Sequence, residues 1–158
     1  MTRSSLVRVL VAAVVVGAAT GLRSQSGLVA VTRSTDPGLL PRPFSWPILR
    51  RRGVLLAGAE AVVDKLPFAP PRTAPSALVP RGVLGAISAG LLARRARRGI
   101  AVPAVLGALS AVAAAHAGTR SRLAAARRVP ALVAGLVEDA VATGLAMAAV
   151  RVGPGRAQ

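Results

Sequence analysis

The chain has 158 residues, 53% of them hydrophobic but only 2% aromatic, and it carries 21 basic side chains against five acidic ones for a formal charge of +16. It has no cysteine, which excludes disulfides, thiolate nucleophiles and cysteine-held metals. Ala, Val, Leu and Gly supply the apolar content in place of large rings, a composition that suits close helix packing in lipid better than a soluble core. All the basic residues except Lys65 are arginines, which matches the codon usage of a GC-rich genome. Such a charge first points to nucleic acid. Here, however, the arginines lie between long apolar runs, with no aromatics interleaved for base stacking, so they read as flanks that orient membrane spans.

The first predicted span is 6–22, interrupted only by Arg8. Its 17 residues reach about 25 Å as a helix, close to what a bilayer requires. The same stretch also fits a cleaved signal peptide, with Arg3 and Arg8 as the basic end and Ala18, Ala19 and Thr20 as a small-residue exit. Residues 23–52 read as a connection. Gly27 to Val31 is a short apolar patch, Asp36-Pro37-Gly38 a turn, and Phe44 and Trp46 beside Arg50, Arg51 and Arg52 an interfacial anchor.

A second, short span covers 53–66. Pro-rich loops are expected at 34–52 and 67–80. A third span covers 78–93 and stops at the Arg94–Arg98 cluster. A fourth covers 99–118, with Pro103 in its first turn, and a fifth covers 129–150, with Pro130 at its start. The expected fold class is therefore all-α, a single membrane domain that is a helical bundle of about five spans. Gly17 and Gly21, and again Ala140, Gly144 and Ala148, give the four-residue spacing of small side chains that lets helix backbones approach. With five spans the basic residues divide nine against twelve between the two sides, so orientation is weakly encoded.

Four of the five acids, Glu60, Asp64, Glu138 and Asp139, lie inside predicted spans. A charged side chain at the bilayer centre costs about 2.5–3.5 kcal/mol on insertion scales, so it is kept where it faces a partner or a water-filled interior. Glu60 and Asp64 share a helix face, whereas Glu138 and Asp139 point about 100° apart. The natural counter-charges are Arg23, in Gly21-Leu22-Arg23-Ser24, and Arg120, in Gly118-Thr119-Arg120-Ser121. Each motif follows an apolar run and precedes a helix with two acids, which reads as an internal repeat. With an odd number of crossings between them the two units would be inverted, the plan by which many transporters build a midplane site.

Three stretches resemble an uncharacterised bacterial multi-pass membrane-protein family, domain of unknown function 4126. They are Gly17-Ala18-Ala19-Thr20-Gly21-Leu22-Arg23-Ser24, Asp64-Lys65-Leu66-Pro67 with Arg72-Thr73, and Glu138-Asp139-Ala140. The resemblance covers nearly the whole chain. It implies a multi-pass protein of the bacterial inner membrane and no activity.

The expected site therefore combines Arg23, Glu60, Asp64, Arg120, Glu138 and Asp139 in a transporter- or channel-like protein passing a small solute or ion. Arginines would hold an anionic group or balance the acids, and acids would carry protons or cations. The alternative is a structural or assembly subunit whose ion pairs fix helix register. His116 reads as a packing histidine. No triad or metal-ligand set is visible, so neither an enzyme nor a cofactor is expected. The expected partners are the lipid bilayer and that solute, with no nucleic acid. A homodimer is one arrangement compatible with so small an interior.

Overall fold

The computed structural model describes residues 3–35 and 74–153. The predicted span 53–66, the Phe44/Trp46 anchor, Glu60, Asp64, most of the loop expected at 34–52 and the first half of that at 67–80 lie outside the described residues. Within them the fold is all-α: α1 (Arg3–Leu22), α2 (Ser26–Ser34), α3 (Pro75–Arg95), α4 (Ala101–Ala125) and α5 (Ala131–Val152). Four of these, α1, α3, α4 and α5, are long and apolar enough to cross a membrane. At 20 residues α1 is about 30 Å long, the thickness of a bilayer's hydrocarbon core.

Each break has a local cause. After Leu22 the chain turns through Arg23, whose N–H still donates to the Ala19 carbonyl at 2.9 Å. The Ser26 hydroxyl lies 2.8 Å from the carbonyls of Ala19 and Arg23, so one side chain serves the end of α1 while starting α2. The apolar patch at 27–31 is thus the body of a short helix rather than part of an irregular connection. Pro75 opens α3 at its first position, where a missing N–H costs nothing. Pro80 lies inside α3, so the loop expected over 67–80 ends earlier, at Ala74. Pro80 removes only the bond to Ser76, near the helix start, and helices in lipid tolerate such a loss. Between α3 and α4 the N–H of Arg98 reaches back to Ala93 and that of Arg97 to Arg94, both at 2.9 Å. Arg97 takes a left-handed φ of 52° to close this cap.

Glycine contacts fix the helix directions. A β-carbon at Gly17 would overlap the Gly107 carbonyl and the Ser110 hydroxyl, and one at Gly21 would overlap the Ala111 carbonyl. The partners advance together, so α1 and α4 are parallel. Gly82 faces Val112, Gly85 faces Gly107 and Gly90 faces Ile100, so α3 is antiparallel to α4. Gly118 stands beside Leu22 and Glu138, whereas Gly153 stands beside Leu92, so α5 runs alongside α3 and against α1. The short α2 doubles back along α1. Gly27 seats on Thr20 and Val16, and Val31 joins the buried cluster of Ala12, Ala13, Val16, Ala89, Leu91, Leu92 and Ala149.

This arrangement corrects the inverted repeat. The helices that carry the two Gly-x-Arg-Ser motifs run in the same direction. The motifs also differ locally. Gly21-Leu22-Arg23-Ser24 ends its helix, whereas Gly118-Thr119-Arg120-Ser121 lies inside α4, which continues to Ala125. Arginine ends an apolar run without ending a helix, because it is a good helix former.

The polarity pattern is that of a protein in lipid. The interior holds small side chains and self-satisfied hydroxyls: Thr20 to Val16 (2.8 Å), Ser88 to Leu84 (2.7 Å) and Thr119 to Ala115 (3.0 Å) each donate one turn back. Leu109, Leu132, Leu136, Val105 and Val137 point outward. In water so large an apolar exterior would aggregate, whereas in a bilayer it is the solvated face.

Candidate intramembrane site

Charge enters the bundle mainly at the end where α1 stops. Arg23, held in the α1–α2 turn, places its guanidinium on the Asp139 carboxylate of α5. One residue earlier on α5 and on a different face, Glu138 accepts from Arg122 of α4. The side chains of Arg23 and Glu138 are 13% and 8% exposed, those of their partners 39% and 32%. Each pair therefore sets a sheltered charge against a wetter one.

Of the six residues expected at the site, the structure brings Arg23 and Asp139 together and keeps Glu138 beside them on α5. Arg120 does not take the expected place: it is exposed on α4, and Arg122 makes the pair with Glu138. Glu60 and Asp64 lie outside the described residues. The sequence carries a signal for Arg122, because Arg122 and Glu138 are equidistant from Pro130, the break between α4 and α5, and thus face each other across a helical hairpin. Arg81, not among the expected site residues, is 5% exposed inside α3, with its Nη1 3.1 Å from the Ala77 carbonyl. His116 donates from Nδ1 to the Val112 carbonyl of its own helix at 2.9 Å, as a packing histidine does. Among the described residues no group of three or more His, Asp or Glu is placed to hold a metal ion.

The small-residue motifs separate as well. Gly17 and Gly21 form the α1–α4 contact, whereas Gly144 has open space around it and Ala140 and Ala148 are exposed.

The Arg23–Asp139 pair forms one end of a half-open cleft of about 660 Å³ between α2 and α5. The two helices run in the same direction and diverge enough to leave a wall of Val29, Ala30, Ala146, Met147 and Val150, with Ser26 and Thr143 as hydroxyls. Arg33 and Arg151, from the last turns of α2 and α5, line the other end. Asp139 and Arg151 are separated by about 18 Å along the helix axis, so the cleft follows more than half of α5. Arg122 and Glu138 are not in its lining.

Fold and composition together define an all-helical protein with four membrane-length apolar helices and an apolar outer surface, one built to reside in a membrane. No family model, curated protein or solved structure matches the chain.

Proposed function

We propose that the protein is a small transporter- or channel-like protein of the bacterial inner membrane and that the cleft between α2 and α5 is its solute site. The supporting observation is the Arg23–Asp139 pair, which keeps a carboxylate and a guanidinium in the wall of an open cleft between apolar helices. An ion pair needed only for packing would be better replaced by apolar side chains, which fill the same volume without the desolvation cost. No catalytic step is assigned. The likeness of the three sequence stretches to domain of unknown function 4126 belongs to the same proposal and adds the multi-pass expectation.

The structural alternative draws on the other pair. Arg122 and Glu138 lie outside the cleft and fasten α4 to α5, helices that otherwise touch little. The two pairs thus divide the two roles: Arg122–Glu138 holds helices together, and Arg23–Asp139 serves the cleft.

The test is osmotic swelling of liposomes containing the full-length protein, followed by light scattering in potassium chloride, acetate, benzoate and phosphate. At least one salt should enter faster than into protein-free liposomes, and Asp139→Asn should change that rate several-fold while the protein stays monodisperse. Rates equal to those of empty liposomes for all four salts would overturn the proposal.

A further inference from the structure

We infer that the end of the bundle where α1 and α4 begin is a binding surface for anionic phospholipid headgroups. This surface is independent of what the α2–α5 cleft carries.

Two segments far apart in sequence build it. α1 opens at Arg3 and carries Arg8 within its first two turns. The connection from α3 to α4 carries Arg94, Arg95, Arg97 and Arg98 within five residues. The Arg98 guanidinium meets the Ser5 hydroxyl, which joins the two segments. With five alternating spans these clusters would fall on opposite sides of the membrane. The packing places them at one end.

Charge sets the sign of the ligand. The acids among the described residues, Glu138 and Asp139, stand at the opposite end, where they engage Arg122 and Arg23. That end also exposes Arg120, Arg127 and Arg128, but its carboxylates offset them. At the α1 start Arg3, Arg8, Arg94 and Arg97 are exposed without a carboxylate among the described residues. Nη1 of Arg95 is shielded from solvent and has no hydrogen-bond partner among the described residues. Arg94 and Arg95 have a local reason for their place, since cations complement the dipole at the end of α3. Arg3 has none: it opens α1 at the positive end of that helix's dipole, and no acid in the first turn offsets it. Crowded cations of this kind are stabilised by an anion among them, and guanidinium forks match phosphate oxygens.

The adjoining surface identifies that anion as a lipid. Leu6 and Val7 on α1, and Ile100, Val102 and Val105 at the start of α4, are exposed aliphatic side chains directly next to the arginines. A phospholipid covers both surfaces with one molecule, its phosphate on the guanidinium groups and its acyl chains on the aliphatic side chains. A free phosphate would reach only the arginines. Basic clusters that flank membrane helices attract anionic headgroups in this way.

The test reads lipid contact from a bimane on one introduced thiol in the otherwise cysteine-free, full-length protein. Val102→Cys carries it in the first turn of α4, beside the arginines, and Leu123→Cys carries it in the last turn of the same helix. Both positions are exposed. Each protein is reconstituted in phosphatidylcholine containing the same minor fraction of acyl-brominated phosphatidylglycerol or acyl-brominated phosphatidylcholine. The ratio of quenching by the two brominated lipids measures local enrichment of the anionic one. It should be at least threefold at Val102→Cys and at least twofold lower at Leu123→Cys. Arg94→Gln with Arg97→Gln, both exposed, should lower the ratio at Val102→Cys at least twofold, whereas Arg127→Gln with Arg128→Gln should leave it unchanged. Salt at about 1 M, where the Debye length is about 3 Å, should lower it without any substitution.

Equal quenching by the two lipids at Val102→Cys, an equal ratio at Leu123→Cys, or an unchanged ratio in the Arg94 and Arg97 variant would each overturn the inference. Loss of the ratio in inorganic phosphate, against chloride of the same ionic strength, would show a site for free anions and overturn the assignment to lipid.

Discussion

Gly17 of α1 lies so close to Gly107 of α4 that a β-carbon on Gly17 would overlap the Gly107 backbone, and a β-carbon on Gly107 would in turn overlap Gly85 and Ala89 of α3. Three membrane-length helices therefore converge on one backbone atom group. Packing this close replaces the hydrophobic drive that lipid does not supply, through dispersion and carbonyl contacts along the crossing.

Enlarging this point should be costly in proportion to the added volume. Gly107→Ala is expected to destabilise the bundle by about 1–3 kcal/mol and Gly107→Val by more, because backbone and not a flexible side chain blocks the site. Gly144→Ala, in open space on α5, should be close to neutral. Thermal unfolding in detergent, followed by circular dichroism, distinguishes the two positions.

The Arg122–Glu138 clip should behave as a unit. α5 is the least buried of the four long helices, with 17% of its membrane-length window inside the protein against 44% for α1 and α3. Arg122→Met alone leaves a buried Glu138 without this partner and is expected to cost about 3–5 kcal/mol, whereas Arg122→Met with Glu138→Leu should recover most of it. A double-mutant cycle on unfolding free energies measures the coupling, and additive single losses would remove the clip from the account.

Parallel running of α1 and α4 is open to disulfide trapping, and the cysteine-free chain needs no background substitutions. The Arg98 guanidinium meets the Ser5 hydroxyl at one end, and Leu22 meets Gly118 at the other. Leu22→Cys with Gly118→Cys should cross-link on mild oxidation, whereas Ser5→Cys with Gly118→Cys should not. Inverted helices would give the opposite result.

Arg97 closes the α3–α4 turn at a φ that costs an L-residue about 1–2 kcal/mol. Arg97→Gly should therefore raise the melting temperature slightly, by the equivalent of about 0.5–1 kcal/mol after glycine's own entropy cost. A drop instead would show that the Arg97 side chain contributes more than its backbone strain removes.

Much of this was legible from residues alone. Apolar runs of membrane length located four helices, because in lipid the run itself is the structural requirement. Gly17 and Gly21 marked a real crossing, and the acids on α5 marked a real cluster. The helix partners were less legible. Arg120 and Arg122 both sit beyond the apolar run, and only the hairpin geometry about Pro130 selects Arg122. The α2 helix escaped notice because nine residues are too few to register as a span. The cleft was not legible at all, since Arg33, Met147 and Arg151 meet only through the packing of α2 on α5.

The claim that the α2–α5 cleft is a solute site, and not a lipid-filled crevice, is tested most directly by the reactivity of a single introduced thiol. In Thr143→Cys the thiol faces the cleft, and in Leu136→Cys it lies on the outer face of the same helix, where Leu136 is 60% exposed. A membrane-impermeant, charged methanethiosulfonate applied to liposomes should modify Thr143→Cys at least tenfold faster than Leu136→Cys. Equal modification rates at the two positions, or no modification at Thr143→Cys, would contradict the account.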